Sequence, residues 1–140
     1  MRTEVEALFD GFPADRIQWH GRQGRTEIAA LFACSTVYVW PGCGEAYGLA
    51  YLEAQAAGLP VVAFDNAGVP EVVDAGYSGI LTPIGDSTAF ATAVESLLDD
   101  EQECRRLSRQ ARSHVRRNHD HAQANQTLKT ILQKYAGLTP

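Results

Sequence analysis

Short apolar runs alternate with apolar positions at helical spacing along most of the chain, the pattern of a parallel α/β sheet. Strands are expected at residues 17–20, 36–40, 60–64 and 79–82. The second and third are nearly continuous apolar runs, as suits strands covered on both faces. Helices are expected between them. One spans 26–34 with Ile28, Leu31 and Phe32 at helical spacing, and another spans 48–57 and stops at Gly58, where a left-handed residue is wanted. A short helix starts at Pro70, and Asp86 or Ser87 caps the next, whose Phe90, Val94, Leu97 and Leu98 recur at i, i+4, i+7 and i+8. Two further helices close the chain, one with the stripe Cys104, Leu107, Ala111 and Val115 and one with Ala124, Leu128, Ile131, Leu132 and Tyr135. No repeat or low-complexity linker interrupts the series, so residues 1–140 read as one domain around one core.

Composition narrows the function classes. An apolar share of 45% with 21% charged residues is that of a folded globular chain, and a net charge of −5 argues against a nucleic-acid binder. No apolar run reaches the roughly 18 residues a membrane helix needs, and the N-terminus carries acidic residues where a signal peptide would be apolar. Cys34, Cys43 and Cys104 are odd in number and lack metal-ligand spacing, which fits reduced thiols and a cytoplasmic location.

The chemistry concentrates in Pro41-Gly-Cys-Gly-Glu45-Ala-Tyr-Gly-Leu-Ala-Tyr-Leu-Glu53-Ala-Gln-Ala-Ala-Gly58, which leaves one buried strand and runs into a helix. Ligands of open α/β sheets sit beyond the carboxyl ends of strands, and the free N–H groups of a helix start favour an anion such as phosphate. Gly42, Gly44 and Gly48 let backbone approach a diphosphate, having no Cβ in the way. Glu45 stands at the mouth, and Glu53 lies about 7–8 Å along the helix axis from Gly48. Their separation matches a sugar plus a diphosphate better than a metal site. Each carboxylate can accept a pair of hydroxyl hydrogen bonds, one from a hexose and the other from a ribose.

Glu45 and Glu53 with seven residues between them, followed by Ala-x-Ala-x-Gly-x-Pro-Val-Val, resemble the Glu-x7-Glu signature of glycosyltransferase family 4. Ile17-Gln-Trp-His-Gly-Arg22, Glu27-Ile-Ala-Ala-Leu-Phe-Ala33, the strand ending Val-Tyr-Val-Trp-Pro41, Ala67-Gly-Val-Pro-Glu-Val-Val73 and Tyr77-Ser-Gly-Ile-Leu-Thr-Pro83 follow in that family's order and spacing. The resemblance covers nearly the whole chain. It implies a Rossmann-like parallel sheet with helices on both faces, forming an incomplete half of a GT-B enzyme, and a retaining transfer of a hexose from a nucleoside diphosphate sugar. It further implies that Glu45 orients the donor sugar, that backbone amides of Ala46, Tyr47, Gly48 and Leu49 meet the diphosphate or sugar, and that Glu53 holds the ribose. The loop Gly21-Arg22-Gln23-Gly24 would border the base. No cofactor or metal is implied.

Two departures qualify the match. Ala67-Gly68 stands where the family has two adjacent glycines, a loss expected to tighten the floor of the sugar site. The family's donor domain also opens with two more strands carrying a Gly-Arg pair and a Lys, and an acceptor domain precedes it. The chain is expected to lack these, to bind donor weakly, and to have little or no activity alone. The alternative is a non-catalytic binding or assembly module, or one subunit of a two-chain transferase. A sugar-nucleotide epimerase would need acid and base groups that the sequence does not offer.

Other features have plainer readings. Tyr47 and Tyr51 read as packing residues before ligands, and His119-Asp120-His121 lacks the partner that would complete a metal set. Arg105, Arg109, Arg112 and Arg116 share one helix side and read as a solvated face, the alternative being an anionic membrane surface or the absent domain. Without two preceding strands, strand 36–40 would expose an edge. Either strand 17–20 pairs with it through a right-handed crossover by helix 26–34, or a second chain, such as a homodimer partner, covers it.

Overall fold

A computed structural model describes residues 2–44 and 46–136 as an α/β unit. Its elements run α1 (Arg2–Ala7), a 3-10 turn (Ala14–Arg16), α2 (Arg25–Cys34), β1 (Tyr38–Val39), α3 (Leu49–Ala57), β2 (Val61–Asp65), α4 (Val69–Val72), β3 (Gly79–Pro83), α5 (Ser87–Asp99), α6 (Glu101–Asn118) and α7 (His121–Ala136). The strands form one sheet in the order β1-β2-β3, all parallel, with Val61 opposite Tyr38 on one side and Gly79 on the other. β2 is central because its side chains are apolar on both faces. Val61 and Ala63 pack with Tyr51, Val69, Val72 and Val73, while Val62 packs with Ala93, Leu97 and Leu107. Helices therefore cover both faces, α3 and α4 on one and α5 and α6 on the other. Each fully buried valine contributes about 1.5–3 kcal/mol relative to exposure.

Local signals set several helix ends. Gly58 closes α3 in the left-handed region with φ 94°. Asp86 caps α5 by accepting the Ala89 amide at 2.9 Å, and Asp100 caps α6 by accepting that of Glu103 at 2.9 Å. α4 begins at Val69, so Pro70 falls within its first turn. α6 lies across the end of α3, where Ser108 Oγ donates to the Gly58 carbonyl at 2.6 Å and Arg112 Nη2 to that of Ala57 at 2.7 Å.

Three expectations need correction. Residues 17–20 form no strand. Trp19 instead packs its ring against Phe9 at 5.7 Å, and Phe9 meets Phe12 at 5.7 Å, so this segment satisfies its apolar side chains in a cluster of its own. The crossover pairing of 17–20 with 36–40 is therefore not formed. Strand 36–40 shrinks to Tyr38–Val39, with Val39 41% and Trp40 50% exposed, because only β2 flanks it. The stripe of α7 stays largely in solvent, Leu128, Ile131, Leu132 and Tyr135 being 49–77% exposed. The arginine face is solvated as expected, Arg105, Arg109, Arg112 and Arg116 all being exposed, and within it Arg112 donates to the end of α3 while Arg105 pairs with Glu101 at 2.5 Å.

Candidate functional site

The glycine-rich stretch lies at the carboxyl end of β1. The chain makes its last sheet bond where the Phe64 amide donates to the Pro41 carbonyl at 3.1 Å, then turns away through Gly42–Gly44. It enters α3 at Gly48, which has φ 89°. A Cβ on Gly48 would lie 2.7 Å from Tyr51 Cδ2 and 2.9 Å from Val72 Cγ2, so both conformation and packing demand glycine there. Behind the loop, a Cβ on Gly68 would collide with the Ala46 carbonyl. The turn after β2 is thus the backing of the loop after β1. Ala67, in place of the family's first glycine, holds a left-handed φ of 48°.

α3 divides its residues by function. Tyr51, Ala54 and Gln55 face inward: Tyr51 donates its hydroxyl to the Trp40 carbonyl at 3.1 Å, and Gln55 donates to the carbonyls of Val72 at 2.8 Å and Tyr51 at 3.2 Å. Tyr51 is therefore a packing residue that ties the helix to the end of β1. Leu49 and Glu53, one turn apart, face outward. By helix geometry the amides of Leu49 and Ala50 have no intrahelical acceptor, and the first turn holds no acid to compete with an anion for them.

The sequence-predicted site residues fall into three groups. Ala46, Tyr47, Gly48 and Leu49 form one continuous lip at the start of α3, with Ala46 and Tyr47 exposed. Glu53 lines a groove of about 470 Å³ between α2 and α3, together with Arg25, Ile28, Ala29, Phe32, Ala56 and Ala57. Glu45 lies outside the described residues. Sequence reasoning missed Arg25, because nothing local shows that the first turn of α2 packs beside Glu53. It also missed the Ala46–Gly68 approach. Residues 36–58 contain no Lys or Arg, so the lip presents amides rather than cations.

Among the described residues no group of three or more His, Cys, Asp or Glu gathers as for a metal ion. His119 turns its ring toward His114 at 5.3 Å, and its pKa lies below the ordinary value through burial and then the neighbouring His114.

Residues 10–114 match the family described as glycosyl transferases group 1. The chain belongs to this family. It is 36% identical over 91 residues to a D-inositol 3-phosphate glycosyltransferase of Corynebacterium kroppenstedtii, an alignment covering 65% of this chain and 20% of that protein. It is also 36% identical over 101 residues to an N-acetyl-alpha-D-glucosaminyl L-malate synthase of Bacillus anthracis, covering 72% of this chain and 26% of that one. The group 1 member thus spans about a fifth to a quarter of the length of these curated relatives.

Among solved structures, the sucrose-phosphate synthase of Thermosynechococcus elongatus superposes with a TM-score of 0.84 at 29% identity, covering 98% of this chain and 35% of that one. HepE of Anabaena, solved in complex with UDP, gives 0.83 at 24% identity over 95% of this chain and 36% of its own, which shows a common fold. The α/β architecture is that of GT-B glycosyltransferases.

Proposed function

We propose that the chain is the nucleotide-sugar-binding part of a retaining hexosyltransferase of glycosyltransferase family 4. One observation carries this reading: a glycine-built turn after β1 delivers the unpaired amides of α3 to the carboxyl edge of the sheet, with Glu53 one turn further along the same outer face. The diphosphate sits on the Ala46–Leu49 lip, Glu53 accepts the ribose hydroxyls in the α2–α3 groove, and Glu45 orients the hexose at the mouth. In the transfer the bond from the sugar's anomeric carbon to the diphosphate oxygen breaks, the electron pair leaves with the diphosphate, and the acceptor hydroxyl oxygen bonds on the same face, its proton passing to the departing diphosphate oxygen. Amides at the helix start stabilise that departing charge. HepE, solved with UDP and with UDP-glucose, supports the donor class by analogy of fold. No metal or cofactor takes part in this reading, and the reaction belongs in the cytoplasm.

A second reading is favoured by the lack of Lys or Arg in residues 36–58. With no cation in the lip's own segment, the chain serves as a binding or assembly module completed by an acceptor domain and two further strands, in the same or another polypeptide.

Calorimetric titration with UDP-, GDP- and ADP-sugars, and with the plain nucleotides, tests both. Glu53→Gln is expected to weaken nucleotide and nucleotide sugar alike by about 1 kcal/mol, through loss of a charge-assisted hydrogen bond. Glu45→Gln is expected to weaken only the nucleotide sugar. Equal losses for both ligands in the Glu45 variant remove it from the sugar site. Turnover by the 140-residue chain at ordinary enzymatic rates would overturn the module reading.

A further inference from the structure

The groove that holds Glu53 has a second charged wall. Arg25, the first residue of α2, lines it opposite α3, and the rest of the lining, Ile28, Ala29, Phe32, Ala56 and Ala57, is apolar. Opposite charges sharing a groove would ordinarily form an ion pair. Yet among the described residues no ion pair joins Arg25 to Glu53, whereas Arg105 pairs with Glu101 and Arg106 with Glu103 on α6. One wall thus offers an acceptor-only carboxylate and the other a donor-only guanidinium.

We propose that Arg25 reads the nucleobase and selects a base that presents a ring carbonyl, uracil or guanine, over adenine. The proposal rests on the donor-site reading, in which Glu53 fixes the ribose. A base attached to a ribose held at Glu53 lies over the apolar part of the groove, with its polar edge toward the surrounding wall. A guanidinium can only donate. It therefore matches the carbonyl acceptors of uracil, or the paired O6 and N7 acceptors of guanine, and opposes the amino group at the corresponding edge of adenine. Arg25 is then a specificity-determining residue, and the sugar and phosphate contacts stay with the α3 lip.

The test is an NMR titration of the full chain with UDP, GDP and ADP, a method that reads weak binding. Wild type is expected to bind UDP or GDP about tenfold more tightly than ADP, the fold-change that one net hydrogen bond confers. Arg25→Met is expected to close that gap while changing ADP affinity by less than about twofold. Arg25→Lys keeps the charge without the planar fork and is expected to lose most of the selectivity too. Equal weakening of all three nucleotides in Arg25→Met would assign the cation to the diphosphate and overturn the proposal. So would an unchanged variant, or a wild type that prefers ADP. Glu53→Gln separates the two readings: it is expected to weaken all three nucleotides alike. If it has no effect while Arg25→Met erases selectivity, the ribose assignment fails and the base contact stands. If no nucleotide binds, the donor site and the base contact fall together.

Discussion

Gly68 shows how a single hydrogen in place of a methyl positions the site. Its Cα lies so close to the Ala46 carbonyl that a Cβ would collide with backbone, which cannot swing aside as a side-chain tip can. Gly68→Ala is expected to destabilise the fold by about 1–3 kcal/mol, the usual range for overpacking, and to shift the Ala46–Leu49 lip. Urea unfolding checks the first effect, and loss of nucleotide affinity beyond that of Glu53→Gln checks the second. No sequence rule points to this contact, since Ala46 and Gly68 meet only after β1 and β2 pair. Gly48 and Gly58 were legible because each begins or ends a helix, and a left-handed residue at a helix end is a local requirement.

At the scale of elements, caps and buried strands were readable and partnerships were not. β2 and β3 fall within a residue of expectation, and Asp86 caps α5 as its sequence position implies. β1 was overread because burial on both faces depends on neighbours that its own residues do not specify. The segment 17–20 was misread because Trp19 has an aromatic partner in Phe9 at shorter range than the sheet. The arginines of α6 divide for a similar reason. Arg105, Arg109, Arg112 and Arg116 are all exposed, but Arg112 donates to the Ala57 carbonyl at 2.7 and 3.3 Å, at the negative end of α3, whereas Arg105 belongs to an exposed ion pair. Arg112→Gln is expected to cost about 0.3–1 kcal/mol, as for a cation at a helix C-terminus. Replacing Arg105, Arg109 and Arg116 together is expected to change stability little. Urea midpoints of the two variants separate the roles.

The junction of α6 and α7 has its own pH signature. Burial and the adjacent His114 depress the His119 pKa in the fold, so neutral His119 is favoured there. A group with a depressed folded pKa that becomes charged on protonation contributes stability above the unfolded value of about 6.5, lost as pH falls through the lower folded value. On α6, hydrogen bonding to Arg106 holds the Glu103 carboxyl below its ordinary range, so its contribution persists to lower pH and fades below the usual carboxylate range. Stability is therefore expected to decline first between neutrality and mildly acid pH. His119→Gln is expected to flatten that first decline only, and thermal melts across the pH range would show it. A flat profile in wild type above pH 5 would remove the imidazole pair as its cause.

For the whole molecule, the apolar surfaces left exposed among the described residues include the β1 edge with Val39 and Trp40 and the outward stripe of α7. An open edge beside apolar side chains invites strand pairing between copies. The chain is expected to self-associate with rising concentration, and Val39→Lys to weaken that association, as sedimentation equilibrium would measure. A monomer at every concentration would show that the edge is protected without a partner. No described helix is long and apolar enough to cross a membrane.

The central claim is that a nucleotide sugar binds at the start of α3 and along the α2–α3 groove, and mapping backbone amide shifts during titration with UDP-glucose tests it most directly. The largest shifts are expected at Ala46–Leu49, at Glu53 and at Arg25, with UDP alone sparing the part of the lip that meets the sugar. Shifts confined to α6 or α7, or none at millimolar ligand, would contradict it.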